Sequence, residues 1–185
     1  KNLLFTIALL ISFSSFGQDV KQGLVTEYYE NGKIETISNY VDGVKQGEEI
    51  GYFRSGELSY KGIFVDGAIN GEVKTYHSGG ELEEIKYFVD GIQQGQAKSY
   101  YRSGELRRIK NYVDGKKQRK ITFYHKNGMV SYSTTITDDG KDENIEYYES
   151  GGIKSKQIVD EDGTVQETIE YYDCGEVKSK VNYWK

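Results

Sequence analysis

The feature that most constrains this chain is a 24-residue period. The unit Gly23–Gln46, GLVTEYYENGKIETISNYVDGVKQ, returns as GEEIGYFRSGELSYKGIFVDGAIN from Gly47, GEVKTYHSGGELEEIKYFVDGIQQ from Gly71 and GQAKSYYRSGELRRIKNYVDGKKQ from Gly95. Three columns carry it onward with small deletions. Tyr28, Tyr52, Tyr76, Tyr100, Tyr124, Tyr147 and Tyr171 form the first; Ile34, Leu58, Leu82, Leu106, Val130, Ile153 and Val177 form the second. The third reads Tyr40, Phe64, Phe88, Tyr112, Ile136, Val159 and Tyr183. About seven copies of one structural unit therefore fill the chain from Gly23 to Lys185.

Each unit reads as two strands and two turns. Tyr, Val, Ile, Thr and Phe dominate the segments between glycines, as strands prefer. At the first turn Glu30-Asn31-Gly32 becomes Arg54-Ser55-Gly56 and Arg102-Ser103-Gly104. Ser tolerates positive φ poorly, so a three-residue loop with only the glycine left-handed fits every copy. The second turn, Val41-Asp42-Gly43 and its equivalents, carries the Asp-Gly hairpin signal. Gly47, Gly71 and Gly95, just inside the next strand, indicate a bulge. The expected fold is all-β: an elongated single-layer antiparallel meander of roughly 14 strands. Simple alternation would then put Tyr28, Ile34 and Tyr40 on one buried face, and Val25, Tyr29, Ile37 and Val41 on the other.

The pattern G-x4-Y-[YF]-x-[SN]-G-x-[IL]…[YF]-V-D-G resembles the MORN-repeat variants of bacteria, a family often labelled as a toxin–antitoxin system antitoxin. The resemblance covers nearly all of the chain after its first residues. It implies an elongated β-meander that serves as an interaction surface, and it brings no catalytic residues with it.

Residues 1–17 follow none of the repeat rules. Lys1, the apolar run from Leu3 to Ile11 and the small residues Ser15 and Gly17 read as a secretory signal peptide cut before Gln18. The apolar run is shorter than the ~20 residues that span a bilayer. The expected organisation is a signal peptide over 1–17 and a MORN-variant repeat domain over 18–185. It predicts export to the periplasm or beyond, with no stable membrane span after cleavage. A cytoplasmic antitoxin role would conflict with that export.

The formal net charge is −5 and the sequence pI about 5.2. Cations are scattered among acids, so nucleic acid is not an expected ligand. The 17 Tyr against 7 Phe suit a half-wet sheet whose rings are covered while their hydroxyls reach water.

Candidate chemistry is sparse. Cys174 takes a turn position filled elsewhere by Asn31, Ser55 or Ser103, which is an ordinary place for a tolerated thiol. His77 and His125 stand two repeats apart, roughly 19 Å at ~4.8 Å per strand, too far for one metal. Neighbouring turn aspartates, Asp42 to Asp114, are spaced ~10 Å apart, beyond a shared calcium ion. No catalytic residue, metal ligand or cofactor is assigned. The expected activity is non-enzymatic protein binding as an envelope scaffold. Glycan binding through stacked tyrosines and, less favoured, hydrolysis of an envelope polymer are the alternatives. The candidate partner surface is the semi-apolar second face between residues 25 and 113: Tyr29, Ile37, Val65, Ile85, Val89, Tyr101, Ile109 and Val113.

Overall fold

The computed structural model describes residues 20–183. The segment read as a signal peptide and Trp184 lie outside the described residues. Fourteen strands form one antiparallel sheet in strict chain order, each paired with its neighbours in sequence. They run from β1 (Gly23–Tyr28), β2 (Ile34–Val41), β3 (Val44–Tyr52), β4 (Leu58–Val65), β5 (Ala68–Tyr76), β6 (Leu82–Val89) and β7 (Ile92–Tyr100) to β8 (Leu106–Val113) and β9 (Lys116–Tyr124). The remaining five are β10 (Val130–Ile136), β11 (Asp142–Tyr147), β12 (Ile153–Val159), β13 (Val165–Tyr171) and β14 (Val177–Asn182). This is the expected meander.

Two turn chemistries build it. Asp42-Gly43, Asp66-Gly67, Asp90-Gly91 and Asp114-Gly115 have both residues at positive φ, near 50° for Asp and 75–82° for Gly. They are two-residue type I′ turns, whose twist matches that of the strands they join. The other turn in each unit is a three-residue loop. Gly32 (φ 79°) donates to the Tyr29 carbonyl, Tyr29 N–H donates to Lys33, and Asn31 keeps an ordinary negative φ. The same hydrogen-bond pair recurs at Thr137–Lys141 and Asp160–Thr164. The decay of the repeat after residue 130 is thus a change of turn: the turn gains one residue to become the three-residue type, while the following strand pairs without the two extra residues of earlier units.

The faces differ from simple alternation, and the reason is a bulge. Tyr28 pairs with Ile34, but Glu27 pairs with Thr36, so Glu35 is an extra residue in β2. One extra residue inverts the parity of everything after it. Tyr40 therefore lies on the opposite face from Tyr28 and Ile34. Ile37 and Val41 share the Tyr28 face, while Val25, paired with Ser38, joins Tyr40. The expected Tyr28–Ile34–Tyr40 stripe does not exist. The same shift recurs at Tyr52, Tyr76 and Tyr100. Tyr28 is correspondingly 60% exposed.

We call the Tyr28 side the outer face and the Tyr40 side the inner face. Ser38, Glu49, Val73, Ala97, Ser99 and Thr134 are buried and all belong to the inner face; Ile145 is the buried residue of the outer one. Gly47, with φ 81°, sits in a second irregularity: three residues of β3, 46 to 48, oppose Asn39 alone. Two extra residues preserve parity, so the faces stay continuous from unit to unit.

Candidate functional site

The columns near the Asp-Gly turns define the outer face. Val41 pairs with Val44, Val65 with Ala68, Val89 with Ile92, and Val113 with Lys116. These pairs make an aliphatic row along one edge of the sheet, extended inward by Ile63 and Tyr87. Val65, Val89 and Val113 remain 45%, 43% and 53% exposed. Ile37, Ile85 and Ile109 lie one row further in on the same face, half-buried between Ile50, Lys74, Lys98 and Thr122. Six of the eight candidate residues are thus brought onto one face. Val25, expected beside them, is on the other.

Tyr29 and Tyr101 belong to a different device. The Tyr29 hydroxyl donates to the Tyr52 carbonyl of the next unit at 2.7 Å, and Tyr101 donates likewise to Tyr124 at 2.8 Å. Tyr148 repeats the contact to Tyr171 at 2.8 Å, and His125 Nε2 lies 3.1 Å from the Tyr147 carbonyl. Guanidinium groups of Arg54 and Arg107 lie 5.7 and 5.9 Å from the rings of Tyr29 and Tyr101. These residues latch successive hairpins together. The column offered a sign of this, because Tyr and His share a polar tip at similar reach. Tyr101→Phe should lower stability by about 1 kcal/mol, the usual net value of one hydrogen bond, without exposing new apolar surface. Urea unfolding of the two proteins measures it.

The opposite edge has its own latches. Gly67 N–H donates to the Lys45 carbonyl at 3.0 Å and Gly91 N–H to Ile69 at 2.8 Å, each reaching back to the previous unit. Gln46, Asn70 and Gln94 donate to Asp66, Asp90 and Asp114 at 2.6, 2.9 and 2.9 Å. The turn aspartates are therefore structural, each held by the unit before it. Asp90→Ala should cost about 1 kcal/mol, from the lost hydrogen bond and a residue less tolerant of positive φ. Its thermal midpoint against wild type reads the effect.

One departure from the repeat is buried. The column of Val25, Val73, Ala97 and Ile121 holds Glu49, which is only 5% exposed. Ser38 donates to this carboxylate at 2.6 Å, and Lys45 and the Tyr60 hydroxyl complete its shell. The Tyr60 ring crosses Gly51, its cross-strand partner, to get there. Lys45 also lies 4.7 Å from the Phe64 ring centre. Every acceptor of Glu49 is met from within the protein, which marks a structural cluster.

Other chemistry is thin. No group of three or more His, Cys, Asp or Glu gathers as a metal site among the described residues. Cys174 is free and exposed in its turn. The Nε2 atom of His77 is buried without a hydrogen-bond partner. The hollows of the sheet are open depressions, one of about 330 Å³ between Gly32, Lys33, Ile34, Tyr52 and Gly56. Among the described residues no helix is long and apolar enough to cross a membrane.

A one-sheet ribbon of hairpins latched unit to unit, with an apolar row on one face, is the architecture of a β-repeat protein. Residues 21–42, 69–90 and 93–114 match the family model described as MORN repeat variant. These three segments are thus similar to MORN-variant repeats, and repeats of this kind are generally protein-binding and non-catalytic. No curated protein matches the chain.

Proposed function

We propose that this is an exported, non-enzymatic scaffold of the cell envelope that holds a protein partner on its outer face. The observation that carries the reading is the aliphatic row Val41–Val44–Val65–Val89–Ile92–Val113, exposed along one sheet edge. Contiguous apolar surface of this kind marks interaction sites, and the type I′ turns hold it rigid. Ile37, Ile85 and Ile109 support the row from beneath the same face. Tyr29 and Tyr101 leave the proposed surface because their hydroxyls are committed to neighbouring carbonyls. Arg54 and Arg107 stand over these two rings where a sugar would stack, and an envelope hydrolase would need a concave pocket with convergent polar groups. Export rests on the sequence of residues 1–17.

The test is a pull-down from envelope fractions with wild type and a Val65→Thr, Val89→Thr, Val113→Thr variant. Capture should fall about tenfold or more with an unchanged circular dichroism spectrum, since each exchange removes exposed apolar contact. Undiminished capture by the folded variant would refute the outer-face assignment.

A further inference from the structure

The inner face carries a second surface that does not depend on the valine row. On β6, β7 and β8, Ser99 lies between its cross-strand partners Glu84 and Arg108, and Ala97 pairs with Lys110. Lys86 stands two residues from Glu84 on the same face, and Lys117 on β9 pairs with Tyr112 beside it. Glu84 is the one acid within this group. It meets Lys86 at 2.8 Å and Arg108 at 3.9 Å, while Lys110 and Lys117 form no ion pair among the described residues. Four cations and one carboxylate thus face the same way in a chain of net charge −5.

The floor under them is unusual. Ala97 and Ser99 are 3% and 7% exposed, covered by longer neighbours. The Ser99 hydroxyl is buried without a hydrogen-bond partner among the described residues, and so is Gln93 Nε2 on the same strand. A buried polar atom left unpaired costs free energy, and such atoms call for an explanation. Here both are donors beside a surplus of positive charge, which is the lining of an anion site.

We propose that the inner-face floor of Ser99 and Ala97, with Arg108, Lys110 and Lys117 around it, binds a carboxylate borne by an acidic peptide segment of a protein partner. Burial lowers the pKa of Lys110, and the like charges of Arg108 and Lys117 lower it further. A carboxylate seated against the ammonium offsets both through its opposite charge. An extended anionic surface such as a membrane would meet the acidic chain as a whole and be repelled. A short acidic segment meets only the local surplus.

Fluorescence anisotropy of labelled hexaglutamate with the full chain tests this. Saturable binding should weaken about tenfold in Lys110→Gln or Arg108→Gln, the loss of one charge-assisted contact. Raising salt should weaken it further, and Lys110→Arg should retain it. Lys117→Gln, at an exposed position, should reduce binding with the fold unperturbed. Val65→Thr on the other face should leave it unchanged, separating this site from the outer one. Equal binding by wild type and both Gln variants would overturn the proposal. So would no binding of hexaglutamate, or capture of phosphatidylglycerol vesicles or inorganic phosphate in its place.

Discussion

Lys45→Met should destabilise the protein by about 3 kcal/mol, toward the lower end of the cost of stripping a buried ion from its partner. Glu49 is 5% exposed, and without Lys45 its carboxylate keeps only Ser38 and Tyr60 as partners in a site it cannot leave. Adding Glu49→Val to Lys45→Met should restore most of the loss. The same column is aliphatic at Val25, Val73 and Ile121, so valine fits the inner face where the carboxylate sat. Urea unfolding of wild type, single and double variants gives the comparison. A double variant no more stable than Lys45→Met would show that the cost lies elsewhere than in the orphaned carboxylate.

Gly51→Val should cost about 2–3 kcal/mol for a steric reason. A Cβ at this position overlaps the Tyr60 ring, which lies over the glycine on its way to Glu49. The ring must turn away, and its hydrogen bond to the carboxylate goes with it. In a Tyr60→Ala background the same substitution should be nearly free, because the space is already empty. A double-mutant cycle reads this as strong non-additivity. Equal penalties in both backgrounds would mean the ring is not what valine meets.

These two cases show what could be read from the sequence. The meander, the three-residue loop at Gly32, the Asp-Gly hairpins and the bulge at Gly47 all follow from local chemistry, with the Asp-Gly turn present in the first four units. Parity did not, because the extra residue at Glu35 carries no glycine and no other local mark. A single unmarked residue moved Tyr40 and Val25 to the opposite face from Tyr28. The tyrosine latches were half visible: an aromatic column appeared, yet its reach across 23 residues is a property of the stacked units. The inner cationic cluster was hidden for a related reason. Lys86, Arg108, Lys110 and Lys117 sit on three strands and come together only when the sheet aligns them, so the linear sequence looked like scattered charge.

The repeat has two distinct faces, with an outer aliphatic row exposed and the Tyr40 column turned the other way. Single cysteines in a Cys174→Ser background test it directly through rates of maleimide labelling. Val65→Cys, Val89→Cys and Val113→Cys on the outer row should label fast, and Val73→Cys and Ala97→Cys on the inner face should label at least tenfold more slowly, following their burial. Rapid labelling at 73 and 97 with protection at 65, 89 and 113 would contradict the assignment of faces and remove the proposed docking surface with it.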